Sequence, residues 1–240
     1  MNSCEEKLRE IESFLNDFKK DDKWKKYHHV EICLKGILNP SVILDKLFFK
    51  ENKKMYLKEF YFYYVGDKKR NMALRKIYNE DDECKNLTKE EFRNGLKARL
   101  YRTMCSILTE YQCYYLCAVI FGEENVSRDI KYDRLGVDFT IDYMGKKYHI
   151  HSYTDTSRAR EKRKEKIKNR NGNSIAGIHV DLPYSLNLNE KTIHRGKELK
   201  KKFVIYTPEY IEYFKKEIEE GRIKNQNIIG YGEQGFIYKD

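Results

Sequence analysis

Proline is scarce in this 240-residue chain, at three residues, beside 13 glycines and one tryptophan. So few breakers exclude a collagen-like or low-complexity chain. The cysteines (Cys4, Cys33, Cys84, Cys105, Cys113 and Cys117) form no C-x-x-C pair, which removes zinc-ribbon and thioredoxin-type sites. There is no Walker A loop, no G-x-G-x-x-G and no H-E-x-x-H. Gly230–Gly235 is glycine-rich but follows the last predicted helix, so it reads as a turn. No apolar run approaches the roughly 18 residues of a membrane span. The opening segment reads as an amphipathic helix rather than a secretory leader. These absences set the expectation of a cytoplasmic protein with free thiols.

What the chain has in quantity is charge. Lys and Arg number 48 against 38 Asp and Glu, a net charge of +10, and the pI is near 9.1. That balance favours a polyanionic partner through counterion release, and nucleic acid is the expected one.

Leu8, Ile11, Leu15 and Phe18 recur at helical steps, so a first helix is predicted over residues 4–18. Further helices are predicted over 41–49 and 72–78, with a strand at 59–65 on its aromatic and β-branched content. The acidic run 79–86 marks a boundary. Two domains follow: 1–86, mostly helical and a candidate specificity or dimerisation element, and 87–240, an α/β core. Thr88 and Glu91 have capping-box spacing and open a long helix to about Gly122.

Strands are predicted at 137–143 and 147–153, joined by a tight turn at Met144-Gly145 or Gly145-Lys146. Strict alternation puts Asp138, Thr140 and Asp142 on one face with His149, His151 and Tyr153. A helix over 157–169 follows, then a strand stopped by Pro183, a strand within 201–208, and a last helix from Pro208 to about Glu220. The fold class is α/β, a mixed sheet flanked by helices.

Gly136-Val137-Asp138, on a hairpin that follows a long helix, resembles the PD-(D/E)xK nuclease superfamily over about residues 88–183. The resemblance implies a restriction-endonuclease-like core, a divalent metal such as Mg²⁺, and hydrolysis of phosphodiester bonds in duplex DNA. It makes Asp138 the first metal-binding carboxylate, with Glu110 in the preceding helix as an additional acid. The E-x-K half is replaced by His149-Ile150-His151. Chemically, two imidazoles opposite a carboxylate suit a divalent metal. Alternatively, Asp138 and Asp142 hold the metal while His149 or His151 takes a proton from water. Asp155 is either a third acid at this site or a helix N-cap.

The basic helical segment Ser157–Arg170 carries Arg158, Arg160, Arg163, Lys166 and Arg170, with only Glu161 and Glu165 opposing. It starts directly after the histidine strand, so a phosphate-binding role is expected for these five residues. The primary reading is a metal-dependent type II restriction or defence endonuclease, with a homodimer as the candidate assembly. Two alternatives stay open: an inactive nucleic-acid-binding protein on a nuclease scaffold, and a metal-independent ribonuclease using His149 and His151.

Overall fold

A computed structural model describes residues 3–18, 22–27, 34, 36–129, 132, 136–157, 159–161, 163, 165, 175–186, 188 and 195–230. The chain forms two compact units. One comprises Met1–Asp17 with Thr109–Asp240, the other Phe18–Leu108. The division therefore falls at 17/18 and 108/109 rather than at 86/87. The reason is the helix α5, Lys89–Phe121, which continues without a break past the acidic run. Its capping box forms as expected: Glu91 N donates to Thr88 Oγ1 (3.2 Å), and Thr88 N donates to the Glu91 carboxylate (2.8 Å). Contrary to the composition-based expectation, α5 is long and apolar enough to cross a membrane, but 72% of its most apolar stretch is buried in the fold, as in a core helix.

The unit Phe18–Leu108 holds α2 (Pro40–Asp45), a π-helical turn at Lys46–Lys50, α3 (Leu57–Gly66) and α4 (Lys68–Glu80), with the first half of α5. The strand predicted at 59–65 is α3. Its aromatics favour a strand locally, but Phe60 and Tyr64, four apart, are both fully buried while Phe62 is exposed. Burial at helical spacing overrides the intrinsic preference. Glu59 reaches back to accept from the Tyr56 N–H (2.9 Å) and fixes the helix start.

The other unit contains α1 (Cys4–Asp17) and a five-stranded sheet. Its strands are β1 (Val126–Ser127), β2 (Phe139–Tyr143), β3 (Lys146–Thr154), β4 (Ile178–Tyr184) and β7 (Asn227–Ile228), side by side in that order. The pairs β1/β2 and β2/β3 are antiparallel, while β3/β4 and β4/β7 are parallel. A separate hairpin, β5 (Gly196–Glu198) and β6 (Val204–Tyr206), precedes α6 (Pro208–Glu219). Pro183 lies inside β4 and does not stop it.

One sheet face is apolar. Phe139, Ile141, Tyr148, Ile150, Val180 and Leu182 are buried, and Phe214 of α6 meets Tyr148 edge-on. Gln112, fully buried in α5, ties three elements together: its Oε1 accepts from Tyr206 N (3.0 Å), and its Nε2 donates to Tyr206 O (3.1 Å) and Glu12 Oε1 (3.0 Å). The described cysteines, Cys4, Cys84, Cys105, Cys113 and Cys117, are unbridged.

The capping box is a separable contribution. Thr88→Ala should cost about 1 kcal/mol of stability in urea unfolding; an unchanged midpoint would show that α5 does not draw on its cap.

Candidate active site

The hairpin turn is Met144-Gly145, both at positive φ (51° and 71°). That is the geometry of a two-residue turn matched to strand twist. It fixes the register, with Thr140 opposite His149 and Phe139 opposite Ile150. Thr140 (1% exposed) and His149 (0%) share the second face of the sheet, as alternation requires.

Asp138 departs from that alternation. In a two-residue hairpin the pairs Tyr143/Lys146, Ile141/Tyr148 and Phe139/Ile150 each exchange both backbone bonds. Ile150 O thus serves Phe139, yet it also accepts the Asp138 N–H at 2.9 Å. Asp138, one residue before β2, thus addresses the same β3 residue as Phe139, which is the bonding pattern of a β-bulge, and a bulge re-aims its side chain. The Asp138 carboxylate takes the Ser152 N–H at 2.5 Å. Ser152 faces the apolar side, where its hydroxyl bonds Tyr206 Oη at 2.8 Å. On the same side, burial chiefly, then Cys117 and the carboxylates of Asp138 and Glu110, push the Cys113 thiol well above its ordinary value.

Glu110 of α5 is ion-paired with Arg128, and both side chains are nearly buried. Arg128 also donates to Asp138 O (2.8 Å) and lies over the Tyr111 ring. Glu110, Arg128, Asp138 and Ser152 thus form one polar group at the start of β2.

The imidazoles form a second group on the opposite face. His179 of β4 sits beside His149 and His151, with ring centroids 4.9 and 5.2 Å away. A ring nitrogen facing a carbonyl must carry the proton. His149 Nε2 therefore donates to Ala176 O (2.9 Å), and its Nδ1 is buried with no hydrogen-bond partner. His151 Nδ1 donates to Gly136 O (2.6 Å) and His179 Nε2 to Ile175 O (3.3 Å), while His151 Nε2 and His179 Nδ1 lie 2.9 Å apart. All four ring nitrogens of the His151–His179 pair are thus engaged. Gly177 (φ 142°) makes room for this stack, since a Cβ there would clash with the His149 ring.

The expected metal sets are not assembled. Asp142 is four residues along an extended strand from Asp138, about 13 Å at the usual rise. Its carboxylate pairs with Lys147 (2.7 Å) on the exposed hairpin end. Among the described residues no group of three or more His, Cys, Asp or Glu side chains is placed to hold a metal ion.

The basic helix also differs from expectation. Arg163 is buried and grips Asp181 of β4 through Nε (2.9 and 3.1 Å) and Nη2 (2.8 Å). It is not available to a phosphate. Arg160 pairs with Asp155 at 2.6 Å, and Arg195 lies 3.5 Å from the same carboxylate. Asp155 is thus an anchor, and Thr156 takes the helix-capping role by accepting from Ala159 N (3.2 Å). Burial and the negative charge of Asp181 raise the Tyr153 hydroxyl pKa above its ordinary value. Arg158, Lys166 and Arg170 lie outside the described residues.

The model of the TaqI restriction endonuclease family matches residues 5–231. The chain belongs to that family. The match takes in nearly the whole chain, both compact units included, so it goes well beyond the segment carrying the Asp138 resemblance. No curated protein and no solved structure matches the chain. The residues that the structure adds to this candidate site, beyond those singled out from the sequence, are Arg128, Ser152, His179 and Asp181. The alternation of His179 and Asp181 in IHVDLP was their only sequence signal.

Arg163→Ala takes the guanidinium away from the buried Asp181 carboxylate, and should cost about 3–5 kcal/mol in urea unfolding. Replacing both partners by Met and Leu should recover most of that loss; equal instability of single and double variants would refute the pair.

Proposed function

We propose that this member of the TaqI restriction endonuclease family is a type II endonuclease that hydrolyses phosphodiester bonds of duplex DNA, with Asp138 as its central carboxylate. The observation carrying the reading is the family match over residues 5–231, together with the backbone bonding that ties the Asp138 carboxylate to the Ser152 N–H and its carbonyl to the Arg128–Glu110 pair. A bulge beside an active centre is a common way of aiming one side chain off the sheet.

Metal dependence is part of the proposal. The described residues build no all-protein cage. Mg²⁺ does not require one: it is typically held by one or two carboxylates, waters and substrate phosphates. Asp138 would hold it, with the DNA supplying further oxygens, and the ion would supply charge stabilisation at the scissile phosphate. The chain's own part is to fix that carboxylate: the Ser152 N–H orients one oxygen, and Arg128 holds the backbone of Asp138 against α5. Two-fold dimerisation, which gives each DNA strand its own centre, belongs to the same proposal. A reducing cytoplasm suits the unbridged thiols.

The absence of a lysine or acid beside Asp138 on β3 favours one second reading, DNA binding without cleavage. The ribonuclease reading draws no support, since His149 is fully buried and both nitrogens of His151 are engaged.

Purified protein with Mg²⁺ should cut plasmid or phage DNA, and EDTA should stop it. Asp138→Asn should lower the rate about 10³-fold or more while leaving binding intact. Wild-type protein that binds DNA but cuts it with no divalent metal leaves the binding-protein reading, and undiminished cleavage by Asp138→Asn overturns the assignment of the centre.

A further inference from the structure

In the unit Phe18–Leu108, α3 and α4 are joined by the single residue Asp67. The elbow is locked by side chains. Arg70 donates through Nε to Tyr64 O (2.8 Å) and through Nη2 to Tyr63 O (3.1 Å), and Asn71 Nδ2 donates to Val65 O (3.1 Å). The last carbonyls of α3, which have no partner within that helix, are thus satisfied from the first turn of α4. Asp67 in turn accepts the Arg70 N–H at 2.9 Å and caps α4. The direction of α4 is therefore fixed by hydrogen bonds, and Arg70 is committed to that task.

The two faces of α4 differ sharply. Leu74 is buried, and Tyr78 packs edge-on against Phe92 and donates to Leu87 O (3.0 Å). The opposite face exposes Lys68, Lys69, Met72, Arg75, Lys76 and Asn79. Four cations stand there, and the nearby acids lie at the ends of the helix: Glu80, 3.7 Å from Lys76, and the cap Asp67 beside Lys69. Met72 is 63% exposed, and Phe62 of α3 is 59% exposed. A solvated helix gains by alternating its charges; this face does not, and it adds a large apolar side chain.

The geometry points to α4 as a helix that docks in the major groove of duplex DNA and reads bases there, an inference that rests on the endonuclease reading above. A major groove admits one α-helix, and 13 residues span about 20 Å of it. Lys68, Lys69 and Lys76 are point charges for phosphates, which position the helix without reading sequence. Arg75 and Asn79 have the donors and acceptors that pair with guanine and adenine edges, and Met72 offers an apolar surface to a thymine methyl.

The test is binding of the full chain to duplex DNA by fluorescence anisotropy over a salt series, with wild type measured first. The variant Lys68→Ala/Lys69→Ala/Arg75→Ala/Lys76→Ala should bind at least about tenfold more weakly. Its log–log salt dependence should be shallower by about 3, at roughly 0.9 for each phosphate no longer neutralised. Its melting temperature should match wild type, because all four side chains are exposed. If the quadruple variant is unstable, Lys68→Ala/Lys69→Ala should show about two-thirds of the change in slope, since it removes two of the three phosphate contacts. Arg75→Gln should alter which plasmid sequences are cut. Wild type that neither binds nor cuts DNA defeats the endonuclease reading itself. Wild type that does both, with variants of unchanged affinity and slope, overturns the role of α4 alone. Loss of binding to RNA or anionic vesicles but not to duplex DNA also overturns it.

Discussion

The constraint on which the sheet-bearing unit depends is the burial of a polar face of its central sheet. Thr140, His149, His151 and Asp181 are each at most 3% exposed, although all carry groups that water would otherwise satisfy. Such groups must find partners inside the protein or cost several kcal/mol together. The partners come from both flanks of the sheet: Gly136 O from the approach to β2, Ile175 O and Ala176 O from the approach to β4, and Arg163 from the helical residues after β3. Covering this face and holding those segments in place are one and the same requirement.

That requirement explains why the arginines of the basic helix divide into two kinds. Arg163 and Arg160 are committed to Asp181 and Asp155 and fasten the helix to the middle of β4 and to the carboxyl end of β3. A basic residue that anchors a basic helix is electrostatically counterintuitive until the buried acid beneath it is seen. The charge-rich composition therefore overstates how many cations are offered to a partner. The same division recurs in α4, where Arg70 is absorbed by the carbonyls of α3 while its neighbours Lys68 and Lys69 stay exposed.

The histidines and Asp138 illustrate how one inserted backbone hydrogen bond separates what alternation joins. Without the bulge, Asp138 would stand over His151. With it, the carboxylate takes the Ser152 N–H, the Asp138 carbonyl is held by the Arg128–Glu110 pair, and the imidazoles form their own hydrogen-bonded stack with His179. The two faces of the hairpin therefore carry distinct chemistry.

Much of the architecture was legible in the chain because it is written in local patterns. The Thr88–Glu91 cap, the apolar repeat of α5, the Met144-Gly145 turn and the opening of α6 at Pro208 depend on residues within a few positions of one another. So does the pairing of Thr140 with His149, which follows from turn length alone. Tertiary structure decided the rest. Whether 57–66 is strand or helix turned on which aromatics found a core, and Pro183 stays within β4 through pairing with β3. The direction of the Asp138 carboxylate, the convergence of His179 on His149 and His151, and the capture of Arg163 by Asp181 all join residues 14 or more apart in sequence. Local spacing cannot encode such interactions, because their energies exist only once the strands have paired and water has left the space between them.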